Sequence, residues 1–266
     1  MHSSELSTVF DKNTALYERY RPQYPHELYK EIFRFAPIHQ SSQVLEIGIG
    51  AGNATLPMLK TGCRLTAVEP SQKFASFCQE KFSNYPSFCV LNDKFEEATL
   101  TKNSFDLIFS ASAFHWIEEK TGFSKVYSLL RNNGLFALFA NHPFACAEEP
   151  VLSEEIQEIY SHYYYRFWQK APKLQIEFTE NQARIKSLRG EKYGFEIGKY
   201  GLFQRSRILN SDDYIALLST YSDHISIEES IRTKFFLAIK NAIRRHGDRL
   251  TVRDTIDLEL WIKRSF

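Results

Sequence analysis

The sequence lacks several features that would by themselves assign it to a class of protein. No apolar run among its 266 residues approaches the roughly 20 residues that a membrane-spanning helix needs. Residues 1–5 show no basic region followed by an apolar core, so we expect no secretory signal peptide. The four cysteines, Cys63, Cys78, Cys89 and Cys146, are scattered and form no C-x-x-C pair. We therefore expect a cytoplasmic protein with reduced, buried thiols, without disulfides and without a metal site.

An excess of charge of one sign is also missing. Lys plus Arg number 33 and Asp plus Glu number 32, so the formal net charge is only +1 at pH 7. This balance indicates no nucleic-acid surface, and no acidic cluster suggests a magnesium site. Hydrophobic residues make up 43% of the chain and charged residues 24%, as in ordinary globular proteins. The length predicts one enlarged domain, or a domain with a subdomain.

One short segment carries most of the functional information. Residues 43–47 read as an apolar strand, and three glycines follow at alternate positions, Gly48, Gly50 and Gly52. Glycines in such a loop let the backbone turn sharply and let a ligand approach without meeting a Cβ atom. Glu69 follows at the end of a second apolar strand, where a doubly wound α/β fold places a carboxylate against ribose hydroxyls. The segment predicts a site for a nucleoside-containing cofactor.

Two details of the glycine loop argue against a dinucleotide. The dinucleotide fingerprint is G-x-G-x-x-G, whereas here the third glycine comes one residue early and Asn53 takes the fingerprint position. Glu46, two positions before the first glycine, would repel a pyrophosphate but suits a ligand that bears an ammonium group. S-adenosylmethionine has that ammonium group, a sulfonium cation and no phosphate.

Four segments resemble one family. The E-x-G-x-G-x-G pattern of residues 46–52 resembles the first motif of class I S-adenosylmethionine-dependent methyltransferases. Residues 104–117 are similar to a strand-four segment of the small-molecule methyltransferases often called type 11. Residues 130–139 resemble the family's turn into strand five, with two asparagines in place of Pro-Gly. Residues 17–25, Y-E-R-Y-R-P-Q-Y-P, resemble the N-terminal segment of the trans-aconitate methyltransferase-like branch.

The first half of the chain alternates between strand and helix, which predicts a parallel sheet with helices on both faces. The predicted strands lie near residues 43–47, 64–69, 87–91, 105–110 and 134–140, and the predicted helices near 26–36, 52–60, 71–83 and 119–131. The resemblance implies an α/β fold with a doubly wound, mostly parallel, seven-stranded Rossmann-like sheet. Segments 195–209 and 255–263 suit the closing hairpin of strands six and seven.

After residue 141 the alternation stops. Ser153 could cap a helix over residues 154–169. The apolar side chains of that helix fall on one face: Ile156, Ile159, Tyr160, Tyr163, Tyr164 and Phe167. We expect residues 1–140 to form the cofactor-binding core with an N-terminal covering segment. Residues 141–200 would form a helical lid insertion, and residues 201–266 would complete the same sheet.

The resemblance also implies candidate cofactor contacts. They are Tyr17, Arg21, Glu46, Gly48, Gly50, Gly52, Glu69, Pro70, Lys94, Phe95 and Ser110. Glu69 is expected to bind the ribose, and Phe95 to lie against adenine or, alternatively, to pack in the core. Ser110 should face the methionine part of the cofactor. Arg21 could fold over the cofactor carboxylate or stay a solvated loop residue.

Candidate substrate contacts are His115, Trp116, Tyr163 and Tyr164. His115 could act as a base because histidine titrates near neutrality, although a lone histidine is more often structural. Methyl transfer from a sulfonium can also proceed by alignment and exclusion of water alone. Because successive residues are about 100° apart on a helix, at least one of the tyrosines at 163–165 should face a pocket or solvent.

We expect an S-adenosylmethionine-dependent methyltransferase that acts on a small molecule, with O-methylation favoured and a carboxylate as one acceptor. A non-catalytic S-adenosylmethionine-binding protein stays open, because no obligatory catalytic residue stands out. An NAD-dependent oxidoreductase is disfavoured by the glycine spacing and Glu46. Residues 110–113 lack the N-P-P-Y motif of amino-directed nucleic-acid methyltransferases. The expected partners are a small-molecule substrate, no nucleic acid and no membrane, in a monomer or homodimer.

Overall fold

A seven-stranded sheet organises residues 14–264, the part of the chain that this computed structural model describes. The strands are β1 Gln43–Ile47, β2 Arg64–Val68, β3 Phe88–Leu91, β4 Phe105–Ala111, β5 Leu130–Ala145, β6 Phe195–Leu209 and β7 Leu250–Lys263. Their order in the sheet is β3-β2-β1-β4-β5-β7-β6. Residues 1–5, for which no signal peptide is expected, lie outside the described part.

The strand order places a ligand site at β1. β1 pairs in parallel with both β2 and β4, and the pairs β2–β3 and β4–β5 are also parallel. The order therefore reverses between β1 and β4, and such sheets bind ligands outside the carboxyl ends of their strands at that point. This architecture confirms the predicted doubly wound, mostly parallel fold.

Helices cover both faces of the sheet, as predicted. Neighbouring residues of β1, Val44 and Leu45, belong to two different core clusters, because side chains alternate between the faces of a strand. Leu28 packs in the first cluster and Phe123 in the second. The helices are α1 Thr14–Tyr20, α2 His26–Phe35, α3 Leu56–Leu59, α4 Gln72–Lys81, α5 Glu119–Leu129, α6 Pro150–Tyr160, α7 Glu180–Ser187, α8 Ser211–Leu218, α9 Ser222–Ile225 and α10 Glu229–Arg245.

Helix α3 is much shorter than the helix predicted near residues 52–60. Gly48, Gly50 and Gly52 have φ angles of +72°, +53° and +74°. These left-handed conformations are incompatible with a right-handed helix, so the chain turns through the glycine loop before α3 begins.

Helix α6 begins at Pro150 rather than after a cap at Ser153. Proline fits the first helical turn, where its missing N–H would have no partner anyway. The Ser153 N–H donates to the Glu149 carbonyl, which places Ser153 inside that turn. The predicted apolar face is confirmed, because its side chains pack against one core cluster. A π-helical turn, Ser161–Tyr165, follows α6.

The chain forms two compact units, each built from separate segments. The helical unit contains residues 14–21, 142–178 and 204–255. The sheet unit contains residues 22–141, 179–203 and 256–264. The predicted boundaries at residues 140 and 200 follow the order of the chain, whereas each unit combines three distant segments. The assignment of residues 141–200 as a lid stays a prediction.

All four cysteines are free thiols. Cys63, Cys78 and Cys146 are buried as expected, but Cys89 is exposed. Cys89 lies on β3, an edge strand of the sheet in which only Phe88 is fully buried. No helix within residues 14–264 is long and apolar enough to cross a bilayer.

Candidate functional site

The glycine loop follows β1 at the point where the strand order reverses. A Cβ atom on Gly48 would lie 2.4 Å from the Cβ of Ala113. A Cβ atom on Gly52 would lie 2.6 Å from the ring of Phe82. Steric contact and left-handed backbone therefore both require glycine at these two positions.

Glu69, just after β2, holds the glycine loop, and its predicted contact with a ribose stays a prediction. Its buried carboxylate accepts hydrogen bonds from the Gly50 N–H at 2.9 Å and the Ser71 N–H at 3.0 Å. Asn92 donates its side-chain amide to the carbonyl oxygens of Glu69 and Pro70 at 2.9 and 3.1 Å. A carboxylate offers about four acceptor positions, so accepting these N–H groups is compatible with binding ribose hydroxyls.

Glu46 is enclosed beside the same loop, with only 1% of its surface exposed. One carboxylate oxygen, Oε2, accepts a hydrogen bond from the Thr55 hydroxyl at 2.8 Å. The other, Oε1, has no hydrogen-bond partner among residues 14–264. Burial raises the pKa of Glu46 to about 8, with a smaller upward effect of Glu69. A buried polar group without a partner is costly, so the site suits a ligand that supplies a cationic donor.

Three predicted cofactor contacts are engaged within the sheet unit. Ser110 donates its hydroxyl to the Ile47 carbonyl at 2.7 Å, which joins β4 to β1. Phe95 is buried in a core cluster, the alternative that the sequence left open. Lys94 forms an exposed ion pair with Glu97 at 3.4 Å. Direct contact of these residues with a cofactor stays a prediction.

Tyr17 and Arg21 belong to the helical unit. The Arg21 guanidinium donates to the Thr220 hydroxyl and carbonyl, each at 2.9 Å. Its Cζ atom lies 4.1 Å from the centroid of the Tyr221 ring and 5.0 Å from that of Tyr17. Arg21 is therefore not simply a solvated loop residue. Its predicted contact with the cofactor carboxylate, and that of Tyr17, stay predictions.

His115 and Trp116 lie on a 3₁₀ turn, Phe114–Trp116, just after β4. His115 is exposed, and its ring centroid lies 4.8 Å from that of Trp116. In the same segment the Ser112 hydroxyl lies 2.9 Å from the Tyr24 hydroxyl. That contact links β4 to the Y-E-R-Y-R-P-Q-Y-P segment, and the sequence did not indicate it.

A cluster of polar side chains in the helical unit was also missed. The Tyr160 hydroxyl lies 2.9 Å from His224 Nε2, and His224 Nδ1 lies 2.8 Å from Asp223 Oδ1. The Tyr164 hydroxyl donates to Asp223 Oδ2 at 2.7 Å. Although burial opposes it, hydrogen bonds from His224 and Tyr164 and the charge of His224 lower the pKa of Asp223 to about 2. Tyr165 instead donates to the Lys173 carbonyl at 3.1 Å.

Comparisons with known proteins agree with this geometry. Residues 45–138 match a family described as a methyltransferase domain. An uncharacterised methyltransferase of Mycobacterium tuberculosis is 28% identical over 137 residues, which cover 52% of this chain and 54% of that protein. A Saccharomyces cerevisiae protein named as a probable S-adenosylmethionine-dependent methyltransferase is 29% identical over 141 residues, 52% of this chain and 47% of that protein.

A solved structure shows the same fold. It is described as a type II methyltransferase from Anaeromyxobacter dehalogenans and has a TM-score of 0.64 at 17% identity, covering 92% of this chain and 99% of that one. Residues 45–138 therefore form a class I S-adenosylmethionine-dependent methyltransferase domain, for which S-adenosylmethionine is the cofactor. The chain spans about half the length of the curated relatives that it matches. Membership of the trans-aconitate methyltransferase-like branch stays a prediction.

Proposed function

We propose that this protein transfers the methyl group of S-adenosylmethionine to a small molecule, with O-methylation favoured and a carboxylate as one acceptor. The observation that carries the proposal is the enclosed carboxyl group of Glu46, whose Oε1 lacks a hydrogen-bond partner within the described chain. An ammonium group would supply that partner, whereas a pyrophosphate would meet two carboxyl groups, Glu46 and Glu69.

Two carboxyl groups beside the glycine loop would bind different parts of the cofactor. Glu46 would accept the ammonium group, and Glu69 would accept the ribose hydroxyls while it holds the Gly50 N–H. When bound, S-adenosylmethionine supplies a methyl group that is already activated on a sulfonium. The chain then needs only to align the acceptor and exclude water.

Because the chain needs only alignment and exclusion of water, an acceptor that needs no base is favoured. A carboxylate is ionised at neutral pH and needs no base, whereas a phenol or an amine benefits from one. We propose His115 and Trp116 as substrate contacts because they follow β4 at the carboxyl edge of the sheet. Tyr163 and Tyr164 are proposed as further substrate contacts. Tyr164 keeps its hydroxyl on Asp223, so it would contribute mainly its ring.

Calorimetry separates this function from an NAD-dependent oxidoreductase. S-adenosylhomocysteine should bind at micromolar strength or better, and NADH should show no measurable binding. Glu69→Ala should weaken S-adenosylhomocysteine binding by about 1–3 kcal/mol, because buried hydroxyls lose a charged acceptor. Glu229→Ala removes an exposed carboxylate of the helical unit and is the matched control. Tight NADH binding would contradict the assignment.

Turnover separates an enzyme from a non-catalytic binding protein. The protein would be incubated with methyl-labelled S-adenosylmethionine and with panels of small carboxylic acids, phenols and amines. We expect label in an acid or a phenol. If label enters none of the panels while S-adenosylhomocysteine binding is intact, the non-catalytic alternative gains support.

A further inference from the structure

Helix α4 of the sheet unit contacts the glycine loop through its last turn. The Cys78 thiol donates to the Gly50 carbonyl at 3.1 Å. The Lys81 ammonium group donates to the Ala51 carbonyl at 2.8 Å. Two consecutive carbonyl groups of the loop are therefore held by side chains of a single helical turn.

Phe82, the residue after α4, supports the position of Lys81. Its ring packs so closely against Gly52 that a Cβ atom there would lie 2.6 Å from Cε2. Lys81 Nζ lies 5.1 Å from the centroid of the same ring, within the range of a cation–π contact. An exposed lysine usually keeps many rotamers, and this contact favours those in which the ammonium group reaches the Ala51 carbonyl.

The glycine loop benefits from being held before a ligand arrives. Its three glycines have left-handed φ angles, and glycine loses more conformational entropy than other residues when it is ordered. The Gly50 N–H also donates to Glu69, so the order of the loop and the position of that carboxylate are linked. Contacts that fix such a loop in the free protein reduce the entropy that binding would otherwise cost.

The charge of Lys81 acts in the same direction as its hydrogen bond. Burial raises the pKa of Glu46 to about 8, and the positive charge of Lys81 opposes that rise. The ionised carboxylate is the form that attracts an ammonium group. Lys81 therefore favours both the order of the loop and the charge state of Glu46 that suits the cofactor.

We propose that Lys81 is a positioning residue of the cofactor site, which holds the Ala51 carbonyl and so orders the glycine loop before S-adenosylmethionine binds. This role rests on the proposed binding of the cofactor between Glu46 and Glu69. Lys81 acts through the loop, so it requires no contact of its own with the cofactor.

Calorimetry with S-adenosylhomocysteine tests this role with two substitutions at one position. Lys81→Met removes the donor and the charge but keeps an unbranched chain, so the affinity should fall about fivefold. Lys81→Arg keeps the donor and the charge, so its affinity should stay within about twofold of the native value. Lys60→Met removes an exposed lysine at the end of α3 and is the matched control. Equal affinities of Lys81→Met and the native protein would overturn the proposal.

Thiol labelling of the full chain separates order of the loop from general stability. Cys78 is fully buried against the Gly50 carbonyl, so it should react only when the loop opens. Cys63 is also buried and reports opening of the core, while the exposed Cys89 serves as an internal standard. Without cofactor, Lys81→Met should raise the labelling rate of Cys78 about fivefold and leave that of Cys63 nearly unchanged, as mass spectrometry would show. A parallel rise at both thiols, or no rise at Cys78, would overturn the proposal.

The two measurements distinguish a wrong site from a wrong role. If the native protein does not bind S-adenosylhomocysteine, the proposed cofactor site is wrong and the role of Lys81 is excluded with it. If the native protein binds and Lys81→Met binds equally well, the site stands and only the role of Lys81 is excluded.

Discussion

Two carboxyl groups, one in each unit, differ in protonation near pH 7: Glu46 is mostly neutral and Asp223 is ionised. Glu46 in the sheet unit is 1% exposed, and its hydrogen bond from Thr55 does not offset burial, which raises its pKa to about 8. Asp223 in the helical unit is 44% exposed along its side chain and accepts from His224 and Tyr164. Against the upward effect of burial, those donors lower its pKa to about 2. Hydrogen-bond donors and water together decide the charge of each group.

The difference separates two uses of an acidic residue. Glu46 keeps an acceptor whose partner is not found among residues 14–264, so it gains most from a cationic ligand. Both oxygens of Asp223 already accept hydrogen bonds, so it acts on its neighbours by fixing their donors. The first group fits recognition of a charged cofactor, and the second fits the ordering of a polar network.

The largest expected effect is loss of cofactor binding in Gly50→Val. Gly50 has φ +53°, which strains a β-branched residue, and its N–H holds Glu69. We expect S-adenosylhomocysteine affinity to fall about 100-fold or more, with a nearly unchanged circular dichroism spectrum. Gly247→Val is the matched control, since Gly247 has φ +88° but no neighbouring atom within 4 Å of its added Cβ. If Gly50→Val binds S-adenosylhomocysteine with normal affinity, the glycine loop is not part of the cofactor site.

The glycine loop and Glu69 could be predicted because their signals are local. A strand, three glycines and an acidic residue after the next strand suffice once the sheet is parallel, since its carboxyl ends meet at one edge. The unusual state of Glu46 could not be predicted to the same degree. It depends on packing, which within residues 14–264 brings the Thr55 hydroxyl to one carboxylate oxygen and no donor to the other.

The polar network of the helical unit was beyond sequence reasoning for a related reason. Tyr160 and His224 are 64 positions apart, and no periodicity predicts which faces of α6 and α9 meet. The sequence pattern did identify the apolar face of α6. It could not show that Tyr164, in the π-helical turn that follows α6, donates its hydroxyl to Asp223.

The raised pKa of Glu46 should make cofactor binding depend on pH. Glu46 has a pKa of about 8 before binding, and an ammonium ligand requires its ionised form. Affinity for S-adenosylhomocysteine should therefore rise about tenfold per pH unit up to about pH 8 and then level off. Near pH 7, calorimetry in buffers of different ionisation enthalpy should detect release of nearly one proton.

Glu46→Gln keeps the shape of the side chain but cannot ionise, so its affinity should vary little with pH over the same range. The free energy of unfolding of the ligand-free native protein should fall with rising pH, whereas its affinity for S-adenosylhomocysteine should rise. Because the folded-state pKa of Glu46 is raised from 4.5 to about 8, its contribution is present at low pH and is lost as pH rises through about 8. Equal pH slopes for both proteins would show that Glu46 does not face the ammonium group.

The smallest expected effect belongs to Asp223→Asn. The folded-state pKa of Asp223, about 2, lies below its ordinary value of 3.8, so the ionised form stabilises the fold above about pH 4. That contribution is lost as pH falls through about 2. Since 44% of the side chain is exposed, solvent screening limits it to about 1 kcal/mol. Urea denaturation near neutral pH should show this loss for the variant, and the difference in free energy of unfolding between variant and native protein should narrow below about pH 3.

Tyr164→Phe, which removes one donor but keeps the carboxylate, should lower the free energy of unfolding by less. A variant as stable as the native protein at neutral pH would mean that the hydrogen bonds of Asp223 order the network without stabilising the fold.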